Sequence, residues 1–105
     1  MGLKDTTDTN PHLQARRRAL FRAVLQLSDI EACERFFTDL CTPAEIAAMA
    51  DRWAVARLVD KHLPYRRIQA ETSVSTATIT RVARALFHGK GGYRGVLDAL
   101  RGEVK

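Results

Sequence analysis

At 105 residues the chain is long enough for one domain with one core, and 46% of it is apolar, so it is not disordered as a whole. No apolar run approaches the roughly 18 residues that cross a membrane, and the opening stretch carries Asp5 and Asp8 where a signal peptide needs an apolar centre. The formal net charge of +5 is local: Tyr65 to Arg94 holds six cations (Arg66, Arg67, Arg81, Arg84, Lys90, Arg94) against Glu71 alone, while the remainder balances 11 cations with 11 anions.

A basic segment of this kind suits a phosphate-facing surface, with a solvated face as the alternative. A cytoplasmic location is the default expectation. A domain this small gains stability by sharing its core with a second copy. Without an export signal or neighbouring ligands, Cys33 and Cys41 are expected as buried free thiols rather than a disulfide or metal pair. His12, His62 and His88 are scattered, and no metal site is expected.

In chain order, residues 1–10 read as a flexible polar tail and 11–105 as a single helical domain. From Pro11 to Leu27 the spacing predicts a helix, with Leu13, Leu20, Val24 and Leu27 near one stripe. Arg16, Arg17, Arg18 and Arg22 lie mostly off it, as a solvated face in preference to a nucleic-acid arm. Ser28 and Glu31 form the pattern of a capping box, opening a helix to about Leu40 with an apolar band of Ile30, Cys33, Phe36, Phe37 and Leu40. Phe36 and Phe37 are candidates for the core and for a dimer interface.

Thr42-Pro-Ala-Glu45 has the same box pattern, with Pro43 where its missing N–H costs nothing. It opens the longest predicted helix, to about Lys61, with Ile46, Met49, Trp53, Ala56 and Val59 along one side and Val55 and Leu58 beside them. Trp53 is a core or interface anchor. His62-Leu63-Pro64 breaks this helix, and two short helices follow. Gly89-Lys90-Gly91-Gly92 stops the second; it lacks the preceding strand and spacing of a phosphate loop. A last helix runs from Tyr93 to about Val104 with Val96, Leu97 and Leu100 inward. No segment alternates as a strand does, so the expected class is all-α, with about six helices.

The segment of about 65–87 reads as a helix-turn-helix. Ile68 lies on the inner side of its first helix, Val74 is the apolar residue of the turn, and Ile79, Val82 and Leu86 face back from the second. Ser75 can cap the second helix at the Thr78 N–H. Ser73, in a slot that commonly holds glycine, is expected at positive φ at a cost of about 1 kcal/mol. Once the apolar stripe faces inward, Thr76, Ala77, Thr80, Arg81 and Arg84 face largely outward. Small and β-branched side chains let a helix sink into a major groove about 12 Å wide. Thr76, Ala77 and Thr80, near the start of that helix, are therefore candidates to read base edges. Arg66 and Arg67 begin the preceding helix, well placed for phosphates or an outer base. An ordinary helical hairpin with a solvated face is the alternative reading.

Three segments carry a family resemblance: Asp29-Ile-Glu-Ala-Cys-Glu-Arg-Phe-Phe-Thr-Asp-Leu-Cys-Thr-Pro43, Asp51-Arg-Trp-Ala-Val-Ala-Arg57, and Ser73-Val-Ser-Thr-Ala-Thr-Ile-Thr-Arg-Val82 leading to Gly91-Gly-Tyr93. From about Leu25 to Leu100 the chain resembles the YerC/YecD group of Trp-repressor-like proteins. The resemblance implies a six-helix, intertwined homodimer whose N-terminal helices share a core, which would account for Phe36 and Phe37. It also implies binding to a two-fold symmetric operator. Arg66, Gln69, Thr76, Ala77 and Thr80 match base-contacting positions of the Trp repressor. Thr42, Arg52 and Arg81 match its corepressor contacts, a vestigial site here. Val82 stands where the indole needs a glycine, and Ala85 where a serine fixes the amino group, so L-tryptophan is not expected as a cofactor. Arg52 and Arg81 are then expected to pair with acids such as Asp51 or Glu71, or to hold another anion.

The function expected is a sequence-specific DNA-binding transcriptional regulator, a homodimeric repressor whose partner is double-stranded DNA. The competing reading is a helical dimerisation or adaptor module that binds protein through the Phe36–Phe37 band or the Arg16–Arg18 face. An enzyme is not expected, because no nucleophile lies beside a base.

Overall fold

The computed structural model describes residues 10–104, which form six helices and no strand: α1 (Pro11–Val24), α2 (Ile30–Leu40), α3 (Pro43–Asp60), α4 (Tyr65–Thr72), α5 (Thr76–His88) and α6 (Gly92–Val104). None is long and apolar enough to cross a membrane. The polar tail expected over residues 1–10 lies outside the described residues except at Asn10. There the side-chain oxygen accepts from the His12 and Leu13 N–H groups at 2.8 and 3.2 Å and caps α1.

The helices fall into two compact units that divide between Thr42 and Pro43. In the N-terminal unit, α1 ends at Val24, short of Leu27. The Gln26 and Leu27 N–H groups bond three residues back, to Ala23 and Val24, so the chain tightens into a turn. The start of α2 also differs from the capping box expected. Asp29, not Ser28, is the cap, accepting from the Ala32 N–H at 2.8 Å. Its extended backbone starts the helix one residue later, and a carboxylate there also meets the positive helix end.

No residue of α1 or α2 is buried in this chain. Phe36 and Phe37 are half-buried against each other, edge to face, with ring centroids 5.5 Å apart. Ile30 and Leu40 are exposed. The expectation of buried thiols fails for the same reason: Cys33 is exposed and Cys41 half-buried, though both are free.

The second unit holds the core, made of Val55, Ala56, Val59, Ile68, Val74, Ile79, Val82, Ala83, Leu86 and Leu97. Helix α3 packs on α4 and α5, α4 on α5, and α5 on α6. Only the C-terminal half of α3 reaches this core. Ile46 is half-buried and Met49 exposed, so the stripe expected along the whole helix is covered only from Trp53 onward. Trp53 stacks on Tyr93 at 6.3 Å, and both pack against the core. Among the described residues of α6 only Leu97 is buried. Val96 and Leu100, expected inward with it, are exposed, because one helix side cannot bury residues on both flanks of its contact line.

Candidate nucleic-acid interface

The chain breaks as expected after α3, where His62 takes a left-handed φ of 65°, and Pro64 restarts it into α4. The next turn is built from local hydrogen bonds. The Thr72 hydroxyl donates to the Ile68 carbonyl at 2.7 Å and accepts from the Val74 N–H at 3.1 Å. Between them Ser73 sits at φ 61°, ψ 17°, the positive φ that the sequence predicts there. Ser75 then caps α5, its oxygen accepting from the Thr78 N–H at 3.2 Å while its hydroxyl donates to the Thr78 oxygen at 3.0 Å. Thr72 escaped the sequence reading, although a threonine two residues before a turn amide is a recognisable local acceptor.

This turn sets the register of α5. Ile79, Val82, Ala83 and Leu86 are buried, and Ile68 and Val74 close over them from α4 and the turn. Thr76, Ala77, Thr80, Arg81 and Arg84 are all exposed, so the five outward candidates do stand on the solvent side. Gln69, on α4, is brought to the first of them: its side-chain oxygen accepts from the Thr76 hydroxyl. At the far end Gly89 stops α5. A Cβ there would collide with the Ala85 carbonyl oxygen, which is why this position needs a glycine.

Electrostatics divides the six cations of the segment. Arg94 is neutralised by Asp60 at 2.9 Å and Asp98 at 3.3 Å, and Asp60, only 11% exposed, also takes Arg101. The hydrogen bonds to Asp60 and then Asp98 raise the Arg94 pKa above its ordinary value. Arg67 pairs with Glu71 at 3.0 Å on one face of α4. Both partners are exposed, and such pairs contribute only about 0.3–0.5 kcal/mol, so a phosphate can displace the carboxylate. Glu71 is therefore Arg67's partner, not the expected partner of Arg52 or Arg81. Among the described residues, Arg66, Arg81, Arg84 and Lys90 have no carboxylate within ion-pair distance.

Of the positions matched to a corepressor site, Thr42 lies in the N-terminal unit, while Arg52 is half-buried on α3 and Arg81 exposed on α5. Val82 turns into the core and is 2% exposed. Ala85 lines an apolar hollow of 550 Å³ with Trp53, Lys90, Gly92, Tyr93 and Val96. The described residues hold no cluster of acids, histidines and cysteines fit for a metal.

The model of one protein family, described as Trp repressor protein, matches residues 15–101. The uncharacterized protein YerC of Bacillus subtilis is 46% identical over 82 residues, which span 78% of this chain and 79% of that protein. A solved TrpR-like protein from Eubacterium eligens superposes with a TM-score of 0.77 at 37% identity, covering 88% of this chain and 91% of the other. A Staphylococcus aureus protein described as a candidate Trp repressor superposes with a TM-score of 0.79 at 40% identity, covering 83% and 87%.

Proposed function

This chain belongs to the Trp repressor family, and on that premise we propose that it is a homodimeric repressor that reads a two-fold symmetric operator through a helix-turn-helix, α4–turn–α5. At the level of the family it is a DNA-binding regulator and not an enzyme. The observation that carries the finer reading is the solvent side of α5. It presents Thr76, Ala77, Thr80 and Arg84 in one stripe, beside cations that have no carboxylate within ion-pair distance among the described residues.

Thr76, Ala77 and Thr80 are short enough to bring the α5 backbone into a major groove, where they meet base edges and thymine methyls together with Gln69. Arg66, Arg81 and Arg84 bind phosphates, and Arg67 joins them by leaving Glu71. The apolar residues left exposed on one chain support the dimer. Ile30, Leu40, Met49, Val96 and Leu100 are more than a marginal domain leaves in water, and Phe36, Phe37 and Trp53 stand half-covered as its anchors. Thr42, Arg52 and Arg81 are a vestigial corepressor set, and no tryptophan switch operates.

Selection from a pool of random duplexes tests this reading. The expected product is a two-fold symmetric sequence with half-sites about 34–36 Å apart, one helical turn. A pool that emerges without any enriched sequence would favour the protein-binding adaptor instead.

A further inference from the structure

The outward stripe of α5 does not stop at Arg84. Residues three and four apart share a helix face, so Ala77, Thr80, Arg84 and Phe87 follow one line, and all four are exposed. Phe87 lies in the last turn of α5, 52% exposed and outside the core. A single exposed apolar side chain is ordinary on a protein surface. What sets Phe87 apart is its alignment with Thr80 and Arg84.

We propose that Phe87 packs its ring on a deoxyribose of the DNA backbone, at the edge of the groove that α5 enters. This rests on the DNA-reading role given above. Ala77 and Phe87 are ten residues apart in one helix, about 15 Å at about 1.5 Å per residue. The major groove is about 12 Å wide. When Ala77 and Thr80 stand at base edges, Phe87 has therefore passed out of the groove and meets its wall. That wall offers phosphate oxygens and sugars. A phenyl ring has nothing to donate to a phosphate, so the apolar side of a sugar is its complement. Arg84, one turn earlier on the same line, supplies the cation for the adjoining phosphate. Covering the ring removes apolar surface from water without releasing counterions. The contact therefore adds affinity that does not fade with salt.

The test is binding of the full chain to the duplex selected by the wild-type protein, measured at several salt concentrations, with thermal unfolding and sedimentation alongside. Phe87→Ala is expected to weaken binding about fivefold to tenfold at every salt concentration. The slope of log affinity against log salt, the melting temperature and the dimer stay as in the wild type. Phe87→Leu should keep most of the affinity. An unchanged affinity for Phe87→Ala overturns the contact, as does a slope lowered as much as by Arg84→Ala. A lower melting temperature or a lost dimer overturns it too, by giving Phe87 a structural role. If the wild type binds no duplex, the DNA-reading role itself fails; if it binds and Phe87→Ala binds equally well, only this contact fails.

Discussion

The Thr76 hydroxyl donates to the side-chain oxygen of Gln69 across the turn, at 3.4 Å. Two residues that face DNA in the proposed complex are thus tied to each other in the free protein. The bond is long, close to the limit of a useful hydrogen bond, so either partner can exchange it for a base edge at small cost. Gln69→Ala is expected to cost about 1–3 kcal/mol at one base pair of each half-site. In a double-mutant cycle, Gln69→Ala and Thr76→Ala should couple by at least about 0.5 kcal/mol in specific binding. Strict additivity would mean that the two residues act independently, and no loss at any base pair for Gln69→Ala would leave Gln69 outside the reading set.

The turn supports two opposite stability changes. Thr72→Val removes the acceptor of the Val74 N–H and is expected to destabilise the fold by about 1–2 kcal/mol. Ser73→Gly relieves the left-handed strain but loosens the unfolded chain, for a net gain of up to about 1 kcal/mol. Urea unfolding measures both. A stabilised Thr72→Val, or a clearly destabilised Ser73→Gly, would contradict the account of the turn.

Phosphate contacts make affinity fall with salt, by about 0.9 in log–log slope for each phosphate neutralised. Arg84→Ala is expected to lower that slope by about this amount per protomer and to weaken specific and non-specific binding alike. Thr80→Ala should leave the slope alone and weaken specific binding more. Titrations from low to moderate salt separate the two, and an equal loss on both kinds of DNA for Thr80→Ala removes it from the base-reading residues.

If the exposed apolar residues are covered by a second copy, stability depends on protein concentration. The melting temperature of the wild type should rise with concentration. Phe37→Asp should abolish that dependence and give a monomer by sedimentation. A wild type that sediments as a monomer throughout counts against the homodimer.

Millimolar L-tryptophan is expected to leave the melting temperature unchanged, because Val82 and Ala85 replace the glycine and serine of the matched corepressor site. A ligand that binds the folded state at a concentration well above its Kd stabilises by several kcal/mol. A clear upward shift would falsify this reading of the two positions.

Within the segment from α4 to α5, most of the structure was legible in the sequence. The inward set Ile68, Val74, Ile79, Val82 and Leu86, the Ser75 cap and the positive φ of Ser73 all follow from spacing within a few residues. The Gln69–Thr76 tie was not legible, since it depends on the angle at which α4 meets α5. Nor was the loss of Arg94 from the basic surface. Asp98 is a local i,i+4 partner, but Asp60, at the shorter 2.9 Å, lies on α3, far along the chain, and no local pattern links it to Arg94.

The sequence by itself determined the six helices, the breaks after α3 and α5 and the outward residues of α5, because caps, breakers and helical periodicity act between near neighbours. The tertiary structure took Arg94 out of the basic surface by pairing it with Asp60 on α3, and among the described residues Arg66, Arg81, Arg84 and Lys90 are left with no carboxylate within ion-pair distance. It also decided which apolar bands find cover: Leu97 does, while Val96, Leu100 and Ile30 do not. Both outcomes depend on contacts between helices remote in sequence. An amphipathic pattern says that a face needs cover, and only the packed chain shows where one copy of it runs out.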